Sequence, residues 1–116
     1  RTFGFMRDVE HLRKAGYALG ASLDNTVALD EQGVVNPDGL RWSDEFVRHK
    51  TLDAVGDLSL AGAPLIGLYR SYCGGHRMNV SMLQALFADP DAWRFVTASQ
   101  LSAQPATGQE RVLAEA

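Results

Sequence analysis

The chain has 116 residues, of which 46% are hydrophobic and 22% charged, proportions that are typical of a single globular domain. Its formal charge of −3 argues against a nucleic-acid partner, which normally requires a basic face. The single cysteine, Cys73, excludes an intramolecular disulfide and favours a reducing compartment, and no apolar run approaches the roughly 18 residues of a transmembrane segment.

The first part of the chain predicts two strands separated by a helix. Residues 2–6 are rich in aromatic and β-branched side chains, which favour a strand. Residues 7–20 have helical character, with Gly16 as the C-terminal stop. A second strand is expected at residues 26–29, and NPDG at residues 36–39 is a strong turn signal.

The second part predicts a long helix, a strand, a further helix and a tail. Ser43 is expected to cap a helix that runs to about Ala61. The apolar run 64–72 is interpreted as a buried strand, and residues 79–87 carry apolar side chains at helical spacing. Residues 99–116 are polar and small, which predicts a flexible tail.

The order of these elements predicts an α+β fold, a two-layer sandwich in which helices cover one face of a small sheet. Residues 1–98 would form one partial domain. The chain begins in apolar, strand-like sequence without an initiator Met, and a sheet of only three or four strands would leave its edges open. Both features predict a piece of a longer protein.

Three polar residues, His49, Asp53 and Asp57, recur at steps of four on the long central helix. Side chains four apart on a helix have Cβ atoms about 5–6 Å from each other. An ion with ligand distances of about 2.0–2.2 Å can bridge that span, so His49 and Asp53 are candidate ligands of a zinc ion. The same spacing also occurs by chance on water-facing helices, and that interpretation stays open.

The same helix has an apolar face that is expected to pack on the sheet, formed by Val47, Thr51, Ala54 and Leu58 and widened by Val55. Gly56 lies inside the helix, where it costs about 1 kcal/mol relative to Ala. That cost is easier to explain if another group must approach the helix closely at this position.

His76 is a second candidate, because it follows Gly74 and Gly75 at the start of a predicted helix. Backbone N–H groups point outward at such a position and favour anions, which suits a general acid or an anion-binding His. A surface His beside a turn is the alternative. His11 is expected to face solvent, and Cys73 is interpreted as a small, semi-buried thiol.

Four segments, RTFGF, NPDGLR, DEFVRHKTLDAVGDL and GGHRMN, together resemble the C-terminal half of the zinc-dependent UDP-3-O-acyl-N-acetylglucosamine deacetylase of bacterial lipid A biosynthesis. The resemblance is colinear from Arg1 to about Val96. It implies a cytoplasmic parent enzyme that removes acetate from UDP-3-O-(3-hydroxyacyl)-N-acetylglucosamine.

The resemblance also assigns catalytic roles. His49 and Asp53 match two zinc ligands of the family. Asp57 matches an Asp that orients a catalytic His, and His76 matches that His, which acts as general acid or stabilises the oxyanion and the leaving amine. The family's third zinc ligand and its general base match nothing in this sequence, so the isolated chain is expected to be inactive.

Further residues match positions that contact the substrate. The sugar and nucleotide site is matched by Thr2, Phe3 and Lys50. An insert at about residues 5–35 matches a β-α-β unit that forms a hydrophobic passage for the acyl chain. Its candidate lining residues are Val9, Ala18, Ala21, Ser22, Leu23 and Ala28.

The sequence departs from the family pattern at two places. Many relatives have a Lys where this chain has Cys73, and the family often has a second Asn where this chain has Val80 after Asn79. Two other interpretations stay open beside the enzyme. One is a non-catalytic module that binds an acylated nucleotide sugar, and the other is a structural fragment whose polar stripe faces water.

Overall fold

In the computed structural model, the structure describes residues 1–102. The predicted α+β class is confirmed, with two strands, β1 and β2, and four helices, α1 to α4. In chain order these are β1 Thr2–Phe5, α1 Met6–Lys14, β2 Thr26–Leu29, α2 Glu45–Leu58, α3 His76–Ala88 and α4 Ala98–Ser102. A short 3-10 helix, Ser59–Ala61, follows α2 and ends at Gly62 in the left-handed conformation, close to the predicted end.

The chain divides into two compact units, Arg1–Val55 and a second unit that begins at Gly56. No helix within residues 1–102 is long and apolar enough to span a membrane. Residues 99–102 of the predicted tail belong to α4, and the remainder of 99–116 lies outside the described residues.

The sheet of the first unit consists of β1 and β2 in parallel, with Thr2 opposite Thr26 and Phe5 opposite Leu29. Parallel neighbours cannot be joined by a tight turn and need a crossover connection, which α1 and the segment after it provide. The result is a β-α-β unit that begins at Thr2, slightly ahead of the predicted insert. Val27 on β2 is fully buried.

Asn36 secures the other edge of β2 through a buried side chain. Its Oδ1 accepts a hydrogen bond from the backbone N–H of Ala28 at 2.7 Å, and its Nδ2 donates to the carbonyl oxygens of Leu23 and Thr26 at 2.9 Å. The predicted NPDG turn follows, in which the N–H of Gly39 donates to the carbonyl of Asn36 at 2.9 Å.

The predicted strand at residues 64–72 is wrong. The segment has no ladder partner among residues 1–102, and its side chains Leu65, Ile66 and Leu68 are exposed. An apolar run becomes a strand only where a neighbouring strand pairs its backbone groups, and the described part of the chain offers none beside it.

The predicted packing face of α2 is wrong in part. Val47 and Val55 are 66% and 64% exposed, and Thr51 is exposed with its Oγ1 donating to the Val47 carbonyl. Half-buried residues of the helix are Ala54 and Leu58 of that face and, outside it, Phe46 and His49. The polar stripe therefore lies on the half-buried side of the helix, because the aromatic side chain that packs inward is on that side.

A buried ion pair joins the start of the chain to the start of α2. The side chains of Arg1 and Glu45 are each 1% exposed, and Arg1 Nε donates to Glu45 Oε1 at 2.9 Å. The backbone N–H of Arg41 donates to Glu45 Oε2 at 2.8 Å. Hydrogen bonding by Arg1 outweighs the opposing effect of burial and lowers the pKa of Glu45 to about 2.

Candidate functional site

The two predicted metal ligands, His49 and Asp53, are held side by side on α2. The distance from His49 Nε2 to Asp53 Oδ2 is 3.5 Å, and both side chains are half-buried. Two ligands at about 2.0–2.2 Å from an ion with tetrahedral geometry lie about 3.3–3.6 Å apart. An imidazole nitrogen and a carboxylate oxygen at this separation therefore fit one zinc ion.

Phe3 of β1 positions this pair from the side. Its ring packs edge-on against His49 with centroids 5.9 Å apart, and against Phe46 with centroids 4.8 Å apart. The ammonium group of Lys50 lies 5.8 Å from the centroid of the same Phe3 ring. The structure thus brings Phe3, His49 and Lys50 together, whereas Thr2 is exposed at the start of β1.

The pair would supply two donor atoms to a metal site. Within residues 1–102, no group of three or more His, Cys, Asp or Glu side chains is arranged to hold one. A zinc ion bound by three protein residues would take its third ligand from elsewhere.

A second pair, Asp57 and His76, is brought together in the second unit. His76 is the first residue of α3, directly after Gly75, and its Nδ1 lies 2.8 Å from Asp57 Oδ2. The imidazole is 70% exposed, whereas the carboxylate is only 17% exposed. The arrangement leaves Nε2 as the ring nitrogen that is not engaged with Asp57.

Two further residues of this site, Asn79 and Tyr69, were not predicted from the sequence. Asn79 Nδ2 donates to Asp57 Oδ2 at 2.8 Å, and the hydroxyl of Tyr69 donates to Asn79 Oδ1 at 2.6 Å. The hydrogen bond from Asn79, followed by that from His76, lowers the pKa of Asp57 against the effect of burial. Asn79 follows His76 by three residues on one helix, which is a detectable signal, whereas Tyr69 lies in an irregular segment.

The turn before α3 has a fixed geometry. Cys73 adopts a left-handed backbone with φ of 49° and is exposed, which corrects the predicted semi-buried thiol. A Cβ atom at Gly74 would collide with the Oγ of Ser71, so a larger residue there would require the Ser71 side chain to move. The predicted exposure of His11 is confirmed.

The six candidate passage residues are spread over α1, β2 and the segment between them. The half-buried members are Val9, Ala18 and Ala21. The exposed members are Ser22 and Leu23, and the buried member is Ala28. Ala18 has a left-handed backbone with φ of 53°.

Comparison with known proteins identifies the family. The model of the UDP-3-O-acyl N-acetylglycosamine deacetylase family, LpxC, matches residues 1–88, a range that contains both polar pairs. The chain belongs to this family. The predicted family resemblance is therefore confirmed.

Curated members of the deacetylase family are close in sequence. The UDP-3-O-acyl-N-acetylglucosamine deacetylases of Brucella ovis and Brucella canis are each 61% identical to this chain over 99 residues. The matches cover 84% of the chain and 35% of each relative. The chain thus spans about a third of the length of the curated relatives it matches.

Proposed function

We propose that the full-length gene product is a zinc-dependent deacetylase that hydrolyses the N-acetyl group of UDP-3-O-acyl-N-acetylglucosamine in the cytoplasm, as a step of lipid A biosynthesis. The observation that carries the proposal is the 3.5 Å separation of His49 Nε2 and Asp53 Oδ2 within the region that matches the family. Relatives with this printed activity, at 61% identity, support the substrate class.

His49 and Asp53 would hold the zinc ion. When bound, zinc supplies an activated water and polarises the amide carbonyl. The third ligand and the general base are expected outside this chain, so the 116 residues alone should not turn over substrate.

His76 would provide the proton that the departing amine needs. Its Nδ1 is held by Asp57 at 2.8 Å, so proton delivery takes place from Nε2. The side chain is 70% exposed, and the ionised Asp57 stabilises the positive charge of the protonated ring.

The substrate would be held by residues around Phe3. The Lys50 ammonium beside that ring offers a positive charge to the nucleotide sugar, and Thr2 offers an exposed hydroxyl. The six candidate passage residues would receive the acyl chain along the β-α-β unit.

Zinc content of the full-length gene product tests the proposal. His49→Ala should remove a stoichiometric zinc and lower kcat/KM by at least about 100-fold, because it deletes a ligand. His11→Ala, which changes an exposed His, is the matched control and should retain both metal and activity. A wild-type protein that binds the acylated nucleotide sugar without metal or turnover would establish the non-catalytic module instead.

A further inference from the structure

Asn79 is the central member of a hydrogen-bonded chain of four side chains. It is 3% exposed, and it contacts Asp57 on one side and Tyr69 on the other. The oxygen of Asp57 that accepts from Asn79 is also the one that lies 2.8 Å from His76 Nδ1. Tyr69 is thus connected to the imidazole through two intervening side chains.

The donor and acceptor roles along this chain are fixed by chemistry. An ionised carboxylate only accepts hydrogen bonds, so Asp57 must face the amide nitrogen of Asn79 and a protonated Nδ1 of His76. The amide oxygen of Asn79 then faces Tyr69, whose hydroxyl donates to it at 2.6 Å. The low pKa of Asp57, for which Asn79 is the largest cause, agrees with an ionised carboxylate.

We propose that Tyr69 and Asn79 are positioning residues that fix Asp57 and, through it, the ring orientation of His76 with a proton kept on Nδ1, so that the protonated ring donates from Nε2 and is left as the Nδ1-protonated tautomer. This inference rests on the proposed role of His76 as proton donor. Without the Asn79 amide, the carboxylate can rotate and exchange Oδ2 for water. An imidazole that is 70% exposed depends strongly on this hydrogen bond for its direction.

Kinetics of the full-length gene product with UDP-3-O-acyl-N-acetylglucosamine test the inference. Tyr69→Phe removes one hydroxyl and should lower kcat about 3- to 10-fold, whereas Asn79→Leu should lower it about 10- to 100-fold, the range for outer partners of an active-site group. KM should change less than about twofold in both, because neither residue is placed at the substrate. Tyr72→Phe, the same change at an exposed Tyr, should leave kcat unchanged.

A spectroscopic readout separates positioning from general destabilisation. The imidazole ¹⁵N shifts of His76 should report Nδ1 protonation in the wild type and a mixture of tautomers in Asn79→Leu. If Asn79→Leu does not fold, the ¹⁵N shifts of His76 and the kcat of Tyr69→Phe test the inference instead.

His76→Ala separates the two proposals. An unchanged kcat in His76→Ala overturns the proton-donor role and this inference with it. The other outcome is a large loss of kcat in His76→Ala while Tyr69→Phe and Asn79→Leu keep the wild-type kcat and the wild-type ¹⁵N shifts. That outcome overturns the positioning inference alone.

Discussion

Glu45 keeps a negative charge in a place from which water is almost completely removed. Burial alone would favour the neutral acid, but the guanidinium of Arg1 and the backbone N–H of Arg41 hold the carboxylate. A buried charge of this kind stabilises a fold only while its partner is present and the group remains ionised.

The stability of the 116-residue chain should therefore depend on pH through Glu45. Because folding lowers its pKa from 4.5 to about 2, its contribution is complete above about pH 4.5 and is lost as the pH falls towards 2. In urea unfolding followed by circular dichroism, Glu45→Gln should have a lower midpoint than wild type at pH 7, and the difference should narrow between these pH values.

Glu31→Gln is the control for this experiment, since Glu31 forms an exposed pair with Arg7. The urea midpoint of Glu31→Gln should equal that of the wild type at every pH. A gap between Glu45→Gln and wild type that stayed constant down to pH 2 would contradict the assigned pKa.

Single residues show what sequence could and could not reveal about the site. The pairing of Asp57 with His76 was inferred from the family resemblance, because nothing local connects residues 19 apart. The same limit applies to Glu45, because its partner, Arg1, is 44 residues away. Such contacts are created by tertiary folding and leave no periodic pattern in the sequence.

Among the elements, α2 carries the largest share of the proposed chemistry and also contains an internal glycine. No atom of the described residues, beyond the backbone of the helix itself and the chain neighbours, lies within 4 Å of a Cβ built on Gly56. No group within residues 1–102 therefore makes the close approach that would explain this glycine. Glycine lowers the stability of the helix here, and no contact of the described residues compensates for that loss.

Gly56→Ala should stabilise the 116-residue chain by about 0.5–1 kcal/mol, because Ala restricts the unfolded chain and meets open space in the folded one. Urea unfolding measures this difference. Ala85→Gly, at an exposed position of α3, is the reverse control and should destabilise by a similar amount. A destabilising effect of Gly56→Ala would show that the position is more crowded than its surroundings indicate.

The elements also show where periodicity fails as a guide. Both strands and the three longer helices were anticipated from turn residues and apolar spacing, which are local signals. The face of α2 was predicted only in part, because Val47 and Val55 are exposed whereas Phe46, which packs against Phe3, is half-buried. The strand predicted at residues 64–72 was wrong because a strand forms only beside another strand, and the sequence of a segment does not show whether such a neighbour is present.

At the scale of the molecule, the described part of the chain buries little apolar surface. Among residues 1–102, the buried hydrophobic residues are Val27, Ala28 and Leu83. Small cores give marginal stability, since burial must offset the entropy of ordering the chain.

The isolated chain should consequently unfold with low cooperativity. We expect an m-value in urea below about 1 kcal/mol per molar, under the usual range for small proteins, because m follows the area exposed on unfolding. The dye ANS should also bind to the native chain. The full-length gene product, measured under the same conditions, is the reference; a steep transition and no ANS binding by the isolated chain would contradict the expectation.

Asn36 has a consequence for how copies of this chain meet one another. An open strand edge is a template on which a second chain can add its own strand, and from there aggregates grow. On β2 the backbone groups of Ala28 at this edge are already hydrogen-bonded. The N–H of Ala28 donates to the side chain of Asn36, and the carbonyl of Ala28 accepts from the N–H of Val35. One buried carboxamide thus keeps this edge of the sheet from recruiting a neighbour.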